Sequence, residues 1–498
     1  MSLSVRLETY SLKTVRRVLM AVFFVAVWGL ITHGTYAGMG DEPHYMMIAH
    51  SLVFDGDLDL ANDYGDPQNL VFGGTLQPEA HARPGRDGRL RPVHDIGMPL
   101  ALSPAFLVSY AIAERLTPLV PAGLLRRAKL NPALVLRHLM SFTMMGLAAM
   151  IVAGLFDVFL ARSGSRARSF GWALLFGLSP PILSHSFLFF TEIPSALLTL
   201  AVFRAVHPRP SLSPAERSLV GAAIGYLVLI HVRNVGLAGG LLLLAAAATP
   251  AGATRRRALA ALAIGCAAPL ILRTFINQRF WGSALTGPQA RLEAWPGLEP
   301  AAWEVATRLW GWVLDQEHGL LVVAPVYLLL APGALVLWRR ERRTAAVIAL
   351  LLVGYVIPMA LPMVNPHGWR GGWSPAGRFL LPIVPLLAIA VFTAVAATPL
   401  RAPVVAGLAA VQVALDLVLW NHPRLLWNAG DGSSEMLEFL GGSSLTKWYP
   451  SAERLDLVTL LVTSSLLVSI CGLLTMAMAR GAEIPGPSRP TDVPPTDA

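Results

Sequence analysis

Apolar runs approaching twenty residues recur along this chain, and no other feature restricts its fold as strongly. About 20 consecutive apolar residues, coiled as a helix, match the hydrocarbon thickness of a bilayer. With 54% hydrophobic and 14% charged residues among 498, the chain reads as an all-α polytopic membrane protein. Its net charge of +9 does not point to nucleic acid. The basic residues fall in short clusters between apolar runs, where they report orientation. Cys266 and Cys471 lie inside apolar stretches and are too few for a disulfide framework or a thiolate metal site, so they read as small core residues. No Asn-x-Ser/Thr sequence occurs, and a bacterial inner (plasma) membrane is the simplest location.

Working back from the C-terminus, spans are expected at Leu455 to Met478, Ala402 to Trp420, Phe379 to Ala396, Thr344 to Pro362, Leu320 to Trp338 and Ala258 to Phe275. Arg255 to Arg257, the Arg339-Arg340-Glu341-Arg342-Arg343 cluster, Arg401 and Arg480 fall on one side of these spans, which the positive-inside rule makes cytoplasmic. Asn277 to His318, Met363 to Arg378 and Asn421 to Arg454 then face out. Leu219 to Ala248 is too long for one helix and carries His231-Val232-Arg233-Asn234 at its middle. It predicts two short spans meeting at an outward turn.

The loops Arg162 to Arg168 and Arg204 to Arg217 then lie inside and Glu192 outside. Asp41 is also outside, because Arg16 and Arg17 precede the first apolar run, Val18 to Thr32. That run is read as a retained span, although Thr35-Tyr36-Ala37 offers a small-residue site for signal cleavage. An even number of crossings must separate Asp41 from Glu192, yet three apolar runs lie between them: Ile96 to Ala113, His138 to Leu160 and Ser169 to Phe190. The first carries Pro99 and Pro104 and ends in Glu114-Arg115, which fits a juxtamembrane or re-entrant helix. The expected architecture is about twelve transmembrane helices with both termini inside and a long first outer loop, 35–95. A membrane module, 1–250, precedes C-terminal transmembrane helices, 251–480, and a Pro/Ser-rich tail, 481–498, expected to be disordered.

Gly40-Asp41-Glu42-Pro43-His44-Tyr45 opens the first outer loop. Carboxylates held at a membrane edge are costly, which makes them functional candidates, although an ordinary loop-start cap uses the same residues. Glu192 in Phe190-Thr191-Glu192-Ile193-Pro194 stands at the outer end of a later span, where it could equally cap a helix. This arrangement resembles the GT-C glycosyltransferase superfamily, the polyprenyl-phosphate-sugar enzymes that include protein O-mannosyltransferases and aminoarabinose transferases. Asp41-Glu42 is similar to that family's first-loop acidic motif. Glu192 matches its second acidic position, where Asp is more usual. Val93-His94-Asp95-Ile96-Gly97-Met98-Pro99 is similar to the segment closing its first loop, and Trp369 to Arg378 looks like a motif of bacterial members. The resemblance covers about residues 15 to 250 and implies a GT-C-like N-terminal module. It also implies sugar transfer from a lipid phosphate carrier at the outer face, with inversion at the anomeric carbon.

The chemistry of such a transfer needs two things of the protein. A released phosphate is weakly basic and needs no general acid, so what remains is a base for the acceptor hydroxyl and positive charge for the departing phosphate. Asp41 is the expected base, with Glu42 or Glu192 orienting the acceptor or binding a divalent cation. The expected donor-binding residues are His94, His231, Arg233, Arg370 and Arg378. Arg233 lies at a break between spans, where a cation is expensive without an anion. Arg370 and Arg378 bracket a Gly/Pro/Trp turn whose backbone can approach a phosphate, and Arg378, directly before a span, reads most simply as an interfacial anchor. Asp315-Gln316-Glu317-His318 forms a secondary candidate. Asp55-Gly56-Asp57-Leu58-Asp59 superficially resembles a calcium loop, but Leu60 stands where that loop requires Gly. The competing function is a lipid-linked-substrate transporter or flippase, which would place ionisable groups near mid-bilayer and usually show an internal repeat. The acceptor and the sugar are not specified by these residues.

Overall fold

The computed structural model describes residues 7–33, 40–66, 69–71, 76–207, 212–252, 254–285, 287, 298–361, 368–372, 374–397, 402–428, 430–454 and 457–479. The tail 481–498, Arg401, Arg480 and Thr35-Tyr36-Ala37 lie outside the described residues. The longer helices are α1 (Leu12–His33), α2 (Glu42–His50), α3 (Gly97–Leu116), α4 (Pro132–Ser163), α5 (Arg166–Leu178), α6 (Glu192–Val206), α7 (Pro214–Ile230) and α8 (Val235–Ala247). They continue with α9 (Arg255–Trp281), α10 (Leu298–Leu314), α11 (Leu330–Arg340), α12 (Arg342–Ala360), α13 (Val384–Ala397), α14 (Ala402–Asn421), α15 (Glu435–Thr446) and α16 (Leu457–Ala479). The only described strands, β1 (Ala82–Pro84) and β2 (Leu90–Pro92), form an antiparallel hairpin with Ala82 opposite Pro92.

Local signals set these boundaries. Asn131 accepts a hydrogen bond from the Leu134 amide, Pro132 occupies the first helical position and Gly164 closes the helix in the left-handed region, so α4 has a defined start and stop. Ser213 and Glu216 form a capping box at the start of α7. α7 ends at His231, whose extended backbone begins the predicted break before α8. The break is satisfied from within. The buried Asn234 amide donates to the Leu227 carbonyl and to Ser195 Oγ, replacing bonds that helix interruption would otherwise leave open.

Among the described residues, seven segments are long and apolar enough to cross a membrane: 97–119, 132–163, 255–281, 342–360, 378–396, 403–421 and 457–476. The expected first span lies in the continuous α1, and two other expected spans are broken. Ser169 to Phe190 is helical only to Leu178, because Pro180-Pro181 follows and the chain reaches α6 through a four-residue helix and a loop. Leu320 to Trp338 is interrupted at Ala324-Pro325 and resumes as α11. α7 and α9 approach closely because Gly221, Gly225 and Gly265 present no side chain to the facing backbone of Leu262, Cys266 and Ser218.

Ion pairs gather the basic loops at one end of the bundle. Arg16 and Arg204 each lie 2.6 Å from Asp157, Arg162 lies 3.3 Å from Glu341, and Arg166 Nη1 donates to the carbonyls of Glu8 and Tyr10 at 2.6 Å. These are loops that the arginine asymmetry assigns to a single side. α1 and α4 run antiparallel, with Phe142 packed on Phe24 and Trp28, so α4 starts at the opposite end. α3 starts there too, its Gly97 carbonyl accepting from Tyr226 at the close of α7. α3 is long and apolar enough to cross a membrane, which the expected juxtamembrane helix did not require, and both it and α4 begin at the same end. A re-entrant break is not present: α3 is continuous through Pro104.

Candidate active site

The end opposite the basic loops carries a buried chain of alternating charge. Arg378 Nη2 donates to Asp41 Oδ2 at 2.7 Å, and its Nε donates to Glu192 Oε1 at 2.8 Å. The same Glu192 oxygen accepts from Arg233 Nη2 at 2.5 Å, and that nitrogen also reaches Thr191 Oγ1 at 2.6 Å. Arg378 Nη1 closes the turn that precedes it by donating to the Gly371 carbonyl at 2.9 Å. The guanidinium of Arg378 lies 4.2 Å from the Phe190 ring centroid, and that of Arg233 lies 5.1 Å from Phe379. Aromatic faces thus cover both cations.

Each member is delivered by a chain irregularity. Asp41 precedes α2, Glu192 opens α6 after the loop 186–191, Arg233 sits in the break between α7 and α8, and Arg378 follows Gly377 at φ 75°. Only at such positions can a side chain lie across the end of a helix bundle. The Asp41 side chain is 24% exposed, whereas Glu192 is fully enclosed and each arginine is 10% exposed. Asp41 is therefore the open end of the chain of charge.

Three histidines border Asp41. His81 Nδ1 lies 2.8 Å from His94 Nε2 and 3.8 Å from Asp41 Oδ1, while the His44 and His81 rings stack at 3.7 Å. The hairpin does this work: His81 and His94 flank it, and the Val93 amide donates to the His81 carbonyl at its base. Burial pushes His94 down to about 4 and His44 to about 3, and lowers His81 as well. The rings are thus neutral at neutral pH. Burial alone would push the Asp41 carboxyl up, but the Arg378 guanidinium outweighs it and holds the group well below the usual carboxylate range. Asp41, His81 and His94 place three ligating atoms within 4.8 Å of one another, the one set at this site with the donors to hold a divalent cation among the described residues.

The structure brings Asp41, Glu192, Arg233, Arg378 and His94 together and assigns the other candidates different work. Glu42 is buried and accepts from the Phe189 amide at 2.6 Å, tying α2 to the loop before Glu192. His231 Nδ1 accepts the Arg233 amide at 3.2 Å and so shapes the turn that carries Arg233. Asp95 pins that turn from the other side, through the Val232 amide and Arg273. Arg370 pairs instead with Glu453 and packs on Trp369. Asp315 and Glu317 spend their oxygens on backbone amides of Ala452, Gly430 and Gly432, which clasps these loops behind the Arg378 turn. Arg378, expected both as a donor-binding residue and as an interfacial anchor, stands at the hub of this group. Asp57 and Asp59 accept from backbone amides of Asp59 and Leu90, so these acids order the first loop.

His81 and His44 escaped the sequence reading. A signal was present, because Asp87-Gly88 is a strong turn pair and His81 and His94 stand six residues to either side of it. A cavity of about 30 Å³ lies beside His94, lined by Asp95, Arg273 and Asn277, with room for about two water molecules. No family model, curated protein or solved structure matches the chain.

Proposed function

We propose that this protein is a GT-C-type membrane glycosyltransferase that moves a sugar from a polyprenyl-phosphate carrier to an acceptor hydroxyl at the outer face of a bacterial inner membrane. The observation that carries the reading is the convergence of Asp41, Glu192, Arg233 and Arg378 at one end of the bundle, with Asp41 alone part-open to solvent. In this proposal the acceptor oxygen bonds to the anomeric carbon as the bond from that carbon to the phosphate oxygen breaks. The hydroxyl proton passes to Asp41, and the electron pair of the broken bond leaves on the carrier phosphate. A carboxylate of low basicity suits the task, because the acceptor proton becomes strongly acidic only as its oxygen bonds to carbon.

Glu192 acts in this scheme as a positioning residue, since it is enclosed and its Oε1 is shared by both arginines. Arg378 and Arg233 supply the positive charge facing the phosphate. Arg233 Nε is buried and makes no hydrogen bond among the described residues, which leaves a donor available to an incoming oxyanion. A site at one end of the bundle also fits surface chemistry better than transport through a mid-bilayer site.

The donor is identified by which lipid-linked sugar accumulates in cells lacking the protein. With that donor and purified protein, Asp41→Asn keeps the side-chain size but removes its basicity, and turnover falls by at least ~100-fold while carrier binding stays nearly intact. Transfer at the normal rate by Asp41→Asn would sink the catalytic reading. Loss of carrier binding would make Asp41 structural.

A further inference from the structure

The first outer segment holds a second cluster of ligating groups that glycosyl transfer does not use. Beyond α2 the chain leaves the α-helical path at His50, and Ser51–Asp55 forms a π-helical turn closed by Gly56 at φ 69°. Residues five apart on an α-helix point about 140° away from each other. The wider π turn returns Asp55 toward His50, and turns of this kind concentrate at functional sites. A short helix, Ala61–Gly65, then delivers Asp63. One imidazole nitrogen and two carboxylate oxygens, from His50, Asp55 and Asp63, come within 4.8 Å of one another.

These groups are supported from behind. The His50 ring packs against Phe54, Phe106 and Tyr110, with centroids 4.8, 6.4 and 5.5 Å away, and Asn62 Nδ2 donates to Asp55 Oδ2 at 2.9 Å. Asp63 is 2% exposed. His50 Nδ1 lies 2.6 Å from Asp63 Oδ1, but Asp63 Oδ2 is shut off from solvent with no hydrogen-bond partner among the described residues. The neighbouring Ser51 hydroxyl donates to Asp57 and also stands beside the Asp63 carboxyl, without closing a hydrogen bond to Oδ2. A His–Asp pair accounts for one oxygen of this buried carboxylate and leaves the other without a counterpart, which is the situation a bound cation resolves.

We propose that His50, Asp55 and Asp63 bind one divalent transition-metal ion of the Zn²⁺ or Mn²⁺ class. The imidazole nitrogen selects against calcium and magnesium, which prefer oxygen-only shells. His50 and Asp63 form the inner wall, and Asp55, exposed to solvent, forms the mouth where water completes the coordination. The ion clasps the π turn to the helix Ala61–Gly65 and so fixes the segment between α2 and the hairpin. This site is separate from the Asp41 group and stands whether or not the chain transfers sugars.

The test is a Zn²⁺ and Mn²⁺ titration of the chelator-stripped full chain in detergent, read against a chromophoric chelator. The unaltered protein takes up an ion that His50→Ala and Asp63→Asn each lose, while His81→Ala, which disrupts only the Asp41 group, retains it. Asp63 is buried and its variant can misfold. Asp55→Asn is the second probe, since this exposed position tolerates substitution, and it weakens binding at least ~10-fold with unchanged helical circular dichroism. Failure of the unaltered chain to bind either metal, or equal affinity in Asp55→Asn and the unaltered chain, overturns the proposal.

Discussion

Among the described residues, replacing Arg378 with alanine would strip Glu192 of one of its two cations and Asp41 of its only arginine. Arg378 makes three hydrogen bonds, at 2.7 Å to Asp41, 2.8 Å to Glu192 and 2.9 Å to the Gly371 carbonyl, and two of them are charge-assisted. Removing one partner of a buried ion pair costs about 3–5 kcal/mol, because the remaining charge is left without compensation. The loss falls at the upper part of that range, since Glu192 is fully enclosed and cannot recruit water. Arg370→Ala is the matched control. Its partner Glu453 is 34% exposed, and a pair in such surroundings contributes about 0–1 kcal/mol. Denaturation of both variants in detergent, followed by tryptophan fluorescence, reads the difference. Arg378→Lys should fall between them, because an ammonium keeps the charge but cannot fork to both carboxylates. Adding Glu192→Gln to Arg378→Ala should recover part of the loss by removing the stranded charge. Equal destabilisation by Arg378→Ala and Arg370→Ala would refute the placement of Arg378 at the hub.

The histidines give a pH signature. His94 and His44 stay neutral in the folded chain down to about 4 and about 3, while unfolded imidazoles protonate near 6.5. The folded state therefore binds fewer protons across that window, so stability is complete above pH 6.5 and declines as pH falls toward 4, by up to ~1.4 kcal/mol per unit for each group. Asp41 contributes no slope there, because its depressed carboxyl is ionised in both states through most of the window. His94→Phe should flatten the decline, and stability independent of pH between 6.5 and 4.5 would contradict the assignment. Gly225→Leu should destabilise the chain by more than ~3 kcal/mol, because even a Cβ there collides with the Cys266 carbonyl; an unchanged melting temperature would show that α7 and α9 do not pack through that face. Reporters fused after Asp66 and Gly430 should read as external and those after Arg257 and Arg343 as cytoplasmic, and reversed signals would break the topology.

Much of the site was legible because membrane chemistry leaves few reasons for a charge to stand where it does. Asp41, Glu192 and Arg233 stood out as ionisable groups at the outer edges or breaks of apolar runs, and all three meet. Arg378 was expected among the donor-binding residues, but its place at the centre was not legible. An arginine before a span is an anchor by local rule, and its true partners lie 337 and 186 residues earlier in the chain. His231 and Glu42 stand beside these residues with oxygen or nitrogen atoms turned to backbone amides, and which atom faces an amide is not a property of residue type.

The sequence by itself determined that the chain is helical and apolar enough to cross a membrane, which basic loops share one end, and that the run from Leu219 to Ala248 breaks at His231. These follow from hydropathy, charge and capping, which act over a few neighbouring residues. Only the tertiary structure decided that one arginine joins Asp41 to Glu192, that a small hairpin carries His81 and His94 to the same carboxylate, and that two expected spans are interrupted. Those outcomes depend on pairing between distant charges in a medium that penalises any charge left alone. A single segment cannot express that dependence, because the energy belongs to the pair.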